Sequence, residues 1–197
     1  MKTTLIFISF VIFSVLKLEA GNKVVDYTML VEKNDTSYVK GSNVPFTGTA
    51  VMRYADGKIS VETPFVNGLI MGVEKMYYPD GKIKTSAEYW NGKYNGKLIH
   101  YYPDGKIKSS ETYKMDYKYG PAVYYYPNGK VKKKGDYYDC KEVGLWVEYY
   151  ENGNLKAKGE YADGMKKGVW IYYKENGEIE KKSDYGEKGG SYNLLNH

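Results

Sequence analysis

From residue 48 onward, apolar and polar residues alternate with a period of two, and Gly, Asp or Asn interrupts the pattern at regular intervals. This alternation predicts short strands with one face turned to a core. No helical period of 3.6 follows the first twenty residues, so an all-β chain is expected. The alternation itself recurs: Gly48, Gly72, Gly96, Gly120, Gly144 and Gly168 stand 24 residues apart, and so do Gly57, Gly81, Gly105, Gly129, Gly153 and Gly177. An aliphatic residue returns at Ile59, Ile83, Ile107, Val131, Leu155 and Ile179, and an aromatic one at Phe65, Tyr89, Tyr113, Tyr137, Tyr161 and Tyr185. Six copies without an insertion or deletion define one repeated supersecondary unit.

The second glycine of each copy follows Asp or Asn, as in Asp56-Gly57 and Asn128-Gly129. That dipeptide predicts a two-residue type I′ hairpin, whose two central residues both need φ > 0. Around such a turn Tyr54 would face Ile59, residue 52 would face 61, 50 would face 63, and Gly48 would lie beneath Phe65. This side is read as the core face, with Trp146 against Gly159 and Trp170 against Ser183. The opposite face would carry Tyr77, Tyr101, Tyr125, Tyr149 and Tyr173, with Lys84, Lys108, Lys132 and Lys156 across from them. It reads as a wet surface on which Lys stems and Tyr rings cover the backbone. A hairpin alone buries too little, so the copies must pair with their neighbours along one twisted sheet. The expected fold is an elongated antiparallel β-hairpin ribbon of six 24-residue repeats, residues 48–190.

Outside the array, residues 21–47 read as capping strands that shield the first edge, and 191–197 as a flexible tail. Residues 1–20 have a different pattern: Lys2, an apolar run from Leu5 to Leu16, then Leu18-Glu19-Ala20. A basic start, a short apolar stretch and a small final residue predict a signal peptide cut between Ala20 and Gly21. The run is too short to span a bilayer, so no transmembrane helix is expected in the mature chain. An exported bacterial protein follows, in the periplasm, on the cell surface or in the medium.

Composition narrows the chemistry. The 197 residues include 24 Tyr and 22 Gly but one Cys and two His. Cys140 alone excludes an internal disulfide framework, and His100 with His197 leaves nothing for a triad or a His-ligated metal. No catalytic residue, metal or cofactor is therefore expected. His100 reads as one strand residue among interchangeable ones, and Cys140 as an exposed residue at a turn between copies. The net charge is only +5, 24 carboxylates are interspersed, and a single Arg accompanies the lysines, which disfavours nucleic acid.

Gly144-Leu145-Trp146, Tyr149-Tyr150-Glu151-Asn152-Gly153, Leu155, Tyr161 and Gly164 together resemble the bacterial variant of the MORN repeat. Gly168-Val169-Trp170, Tyr172-Tyr173, Asn176-Gly177 and Ile179 repeat the motif, and Pro45-Phe46-Thr47-Gly48 resembles its usual entry. The resemblance implies a hairpin ribbon used for protein or lipid contact without enzymatic activity, and includes the antitoxin-like YwqK group. The Trp position departs from it in four copies, which hold Ala50, Glu74, Leu98 and Ala122. Three functions stay open on the sequence: a scaffold for a protein partner at the cell envelope, an antitoxin or immunity-type protein, and a module for cell-surface glycan or anionic lipid. The candidate binding face for each is the Tyr77–Tyr173 series with its lysines.

Overall fold

The computed structural model describes residues 23–187, so the leader with its Ala20–Gly21 cleavage site and the tail after 190 lie outside the described residues. The N-terminal strands are β1 (Val24–Asp26), β2 (Leu30–Lys33) and β3 (Thr36–Val39), with one 3-10 turn at Tyr27–Met29. The array follows as β4 (Gly48–Arg53), β5 (Ile59–Val66), β6 (Leu69–Ile70), β7 (Gly72–Tyr77), β8 (Ile83–Trp90), β9 (Lys93–Tyr101) and β10 (Ile107–Lys114). It ends with β11 (Tyr117–Tyr125), β12 (Val131–Tyr138), β13 (Lys141–Tyr149), β14 (Leu155–Ala162), β15 (Met165–Tyr173) and β16 (Ile179–Asp184). From β4 to β16 every strand pairs antiparallel with its sequence neighbours in one 14-stranded sheet, β6 lying off the main path against β5. The ribbon is the repeat architecture that the 24-residue period predicts. β1 runs parallel along β4 and covers the first edge, while β2 and β3 form a separate two-stranded sheet.

The two kinds of turn are exchanged relative to the sequence expectation. At Asp56-Gly57 the Gly57 N–H donates to the Tyr54 carbonyl (2.9 Å) and the Tyr54 N–H to the Lys58 carbonyl (2.8 Å). This is a three-residue loop in which only the glycine is left-handed, at φ +84°. Asp56 holds the loop by accepting the Lys58 N–H on its carboxylate, and Asn128 does the same for Lys130. The two-residue loops with both φ positive lie instead between copies, at Asn67-Gly68, Asn91-Gly92, Met115-Asp116, Asp139-Cys140 and Asp163-Gly164.

The extra loop residue changes the pairing near the turn. Gly48↔Phe65, Ala50↔Thr63 and Met52↔Val61 pair as the alternation predicts, but a bulge follows and Ile59 meets Arg53 rather than Tyr54. In the next copies the aliphatic residues meet the outward tyrosines: Tyr77↔Ile83, Tyr101↔Ile107, Tyr125↔Val131, Tyr149↔Leu155 and Tyr173↔Ile179. That face therefore carries aromatic–aliphatic pairs at the bulge, with Lys134, Lys158 and Lys182 further along the same side opposite Val123, Val147 and Ile171.

The core runs along the Trp position. Ala50, Ala122, Trp146 and Trp170 are buried, and Glu74 takes its turn in the same line. Two apolar clusters result. Phe46, Ala50 and Phe65 pack with Tyr27 and Leu30 of the cap, whereas Trp146 and Trp170 pack with Ala122, Ala157, Tyr137 and Tyr161. The Gly48 series does not sit beneath its aromatic partner to make room for it. A Cβ at Gly144 or Gly168 would meet open space, and what demands glycine there is φ of +64° and +59°. Gly135 and Gly159 lie beneath indoles, where a Cβ would come within 2.2 and 2.3 Å of Trp146 and Trp170 respectively, and Gly48 lies against the Phe46 ring rather than Phe65. Each indole thus covers a glycine of the preceding hairpin while standing opposite the partner that the sequence predicts, Trp146↔Gly159 and Trp170↔Ser183.

Candidate functional site

The ribbon has two margins, one at each set of turns, and they differ in chemistry. At the Asp/Asn-Gly margin the copies are stitched to one another. The Tyr78 hydroxyl donates to the Tyr101 carbonyl (2.7 Å), Tyr102 to Tyr125 (2.8 Å), Tyr126 to Tyr149 (2.8 Å) and Tyr150 to Tyr173 (2.7 Å). Lys58, Lys82 and Lys106 each donate to the carbonyl of the proline in the next turn, Pro79, Pro103 and Pro127. Each of these lysines also pairs with its own turn aspartate, Asp56, Asp80 and Asp104, at 3.0–3.2 Å. Hydrogen bonds from Lys58, Lys82 and Lys106 hold the three carboxyls below their ordinary range.

Lys84, Lys108, Lys132 and Lys156 stand at the bulge beside this margin, not across from the Tyr77 series. Their ammonium groups lie over the rings of Tyr78, Tyr102, Tyr126 and Tyr150, 5.6–6.0 Å from the centroids. Lys132 and Lys156 border one hollow with Tyr124, Tyr126, Lys133, Glu148 and Tyr149. The predicted face thus divides into two. The lysines stand beside Tyr124 and Lys133, whose ammonium is 4.5 Å from the Trp146 ring, while the Tyr77 series pairs with the aliphatic residues and reaches the lysines at Tyr149. Tyr77, Tyr101, Tyr125, Tyr149 and Tyr173 are half-buried against their aliphatic partners. Tyr77 also donates to Glu62 (2.6 Å); burial and that bond push its phenol up to about 12. A third lysine series, Lys134, Lys158 and Lys182, alternates across the strands with Val147 and Ile171 on the outward side.

The other margin exposes large aromatic side chains, each opposite a lysine: Trp90 pairs with Lys93, Tyr117 with Lys114 and Tyr138 with Lys141. Trp90, Tyr117 and Tyr138 are each more than half exposed, and Met115, Tyr119 and Met165 are exposed beside them. Tyr119 and Tyr138 stack at 5.1 Å over a hollow also lined by Lys114, Met115, Tyr117 and Asp139. These residues flank the two-residue turns. Their signal in the sequence is large apolar side chains at strand positions facing away from the buried line, where polar ones are the rule.

The interior contains two buried carboxylates. Glu74 accepts the Thr63 hydroxyl (2.8 Å), and Glu111 accepts Lys118 (2.6 Å) and the Tyr124 hydroxyl. Burial is the largest single influence on Lys118 and lowers its pKa, but the bond to Glu111 and the charge of that carboxylate, with Tyr113 and Tyr137, together raise it. Both carboxylates are satisfied by partners inside the sheet, so they serve packing. His100 of β9 meets Thr85 of β8 across the strand pair at 3.2 Å, and Cys140 is exposed in its turn at φ +65°. Among the described residues no three His, Cys, Asp or Glu side chains come together to hold a metal ion, and no helix is long and apolar enough to cross a membrane.

A strand, a three-residue Gly turn, a bulged return strand and a stitched margin, repeated at 24 residues, make up one structural unit. Four consecutive units match the MORN repeat variant. The matches cover residues 72–91, 94–115, 118–139 and 142–163, each spanning one hairpin from β7–β8 through β13–β14. The β4–β5 and β15–β16 hairpins flank the four matched units and carry the same register and bulge. MORN repeats are a non-catalytic repeat scaffold that suggests binding. No curated protein matches the chain.

Proposed function

We propose that this chain is an exported, non-enzymatic MORN-repeat scaffold that binds a protein partner at the bacterial cell envelope. The observation that carries the reading is the aromatic margin. Exposed Trp90, Tyr117, Tyr119 and Tyr138 are the aromatic anchors that protein interfaces favour, and Lys93, Lys114 and Lys141 opposite them suit an acidic partner surface. The stitched opposite margin supplies the rigidity that a scaffold needs, and the leader-like residues 1–20 support export. A partner that is a toxin would make the chain an antitoxin-type member of the same class.

The test is crosslinking in the native cell, followed by capture with the wild-type protein and with a Trp90→Ser, Tyr138→Ser double variant. A partner captured by the wild type and lost with the double variant is the expected result. Capture no better than an unrelated bait, or capture indifferent to the two substitutions, would remove the reading. Export is tested separately by cell fractionation and the mass of the mature N-terminus, expected at Gly21.

A further inference from the structure

We propose that Lys84, Lys108, Lys132 and Lys156 form a binding track for a linear acidic polysaccharide lying along the long axis of the ribbon. The inference goes beyond the protein-scaffold reading and uses the opposite margin, so either can fail alone.

These lysines differ from others nearby. Lys58, Lys82 and Lys106 are occupied by turn aspartates and carbonyls, and Lys118 and Lys141 by Glu111 and Asp163. The four track lysines have no carboxylate within ion-pair distance among the described residues. They are exposed, and each recurs one copy further on, about 10 Å away as two strand spacings require. Their positions are also prepared before any ligand arrives. Each ammonium rests on a Tyr ring, and each ring is fixed by its hydroxyl to the next copy, which lowers the ordering cost of binding.

The chemistry of the row selects its ligand. Evenly spaced single charges in one line fit a polymer bearing regularly spaced anions, and the Tyr rings on which they rest add apolar contact to sugar rings. Phosphate-rich chains are best gripped by the bidentate guanidinium, and the protein has one Arg, at position 53. A flat anionic membrane would meet Glu148 and Glu151 together with the lysines. Those carboxylates lie close enough to help raise the Tyr126 phenol, although burial is the larger cause. A single chain laid on the row passes Glu148, which borders the same hollow as Lys132 and Lys156, but need not cover the turn that holds Glu151.

The test is a fluorescence-anisotropy titration of the purified protein with labelled oligogalacturonates of graded length. Inorganic polyphosphate and anionic phospholipid vesicles form parallel arms. Affinity for the oligouronate is expected to rise with length until the oligomer spans all four lysines, and to fall with added salt. The triple variant Lys108→Gln, Lys132→Gln, Lys156→Gln should bind at least about tenfold more weakly. The triple variant Lys134→Gln, Lys158→Gln, Lys182→Gln, with the same loss of charge on the other side of the sheet, should bind as the wild type does. Equal losses in the two variants, or affinity independent of length, would overturn the track. Tighter binding of polyphosphate or of vesicles, lost with the first variant, would overturn the polysaccharide as its occupant.

Discussion

At the scale of the residue, two glycines show that one residue type answers to different constraints. Gly144 occupies a left-handed backbone with open space where a Cβ would point, and Gly159 occupies an ordinary backbone with an indole in that space. Gly144→Ala is expected to cost about 1–2 kcal/mol through the backbone alone. Gly159→Ala is expected to cost about 2–3 kcal/mol because Trp170 must move. Urea unfolding measures both costs. Only the second substitution should also shift the Trp fluorescence of the folded state, and a shift in both would mean that the glycines share one role. Trp170 is further held by its indole N–H donating to the Glu160 carbonyl (3.0 Å) and by the Lys166 ammonium 4.2 Å from its ring.

At the scale of the element, the hairpins depend on two turn chemistries. The two-residue turn Asp139-Cys140 places a non-glycine at φ +65° where other copies have Gly68, Gly92 and Gly164. Cys140→Gly relieves that strain and keeps the backbone bond from residue 140 to the Lys118 carbonyl, losing only the weak bond that the exposed Sγ accepts from the Lys118 N–H (3.3 Å). The variant should be more stable by about 0.5–1 kcal/mol, after the entropy that glycine adds to the unfolded chain. An unchanged or lower denaturation midpoint would contradict this account of the turn.

The sequence made the period, the strand alternation and the cross-strand partners of Gly48, Trp146 and Trp170 legible, because side-chain parity is set by the backbone alone. It did not reveal which turn carries two left-handed residues. Asn-Gly fits both a two-residue turn and the end of a three-residue one, and the choice depends on the Tyr54–Lys58 hydrogen bond. That single added residue moved Ile59 away from Tyr54 and carried Lys84 onto the Tyr78 ring. The predicted Tyr–Lys face therefore separated into a lysine row and a tyrosine–aliphatic face. The exposed aromatics of the other margin were not legible in the sequence, because Trp90, Tyr117 and Tyr138 do not recur as one residue type at the 24-residue period.

At the scale of the whole molecule, stability depends on many phenols remaining protonated. Burial, then the bond to Glu62, pushes Tyr77 up to about 12, and burial with the charges of Glu142 and Glu148 does the same for Tyr161. Tyr89 and Tyr124 are raised as well, chiefly by burial. A folded value above the unfolded one, near 10, contributes stability that is complete below pH 10 and lost as pH rises toward 12. Unfolding midpoints in urea should hold steady to about pH 10 and then fall, in step with phenolate absorbance. A midpoint flat to pH 12 would show that these hydroxyls ionise without cost. On the acid side the turn aspartates act oppositely. Their lowered values contribute above about pH 4 and are lost as pH falls, with little effect because all three carboxyls are exposed.

The hydroxyl stitching of Tyr78, Tyr102, Tyr126 and Tyr150 is directional: each copy donates only to the one that follows it. A polypeptide is made, and crosses a membrane through a narrow pore, amino end first. Every hairpin that closes therefore already presents its donor to the hairpin still to come. The order in which the chain becomes available is the order in which its seams can be sewn, and a half-emerged ribbon leaves its loose thread at the growing end.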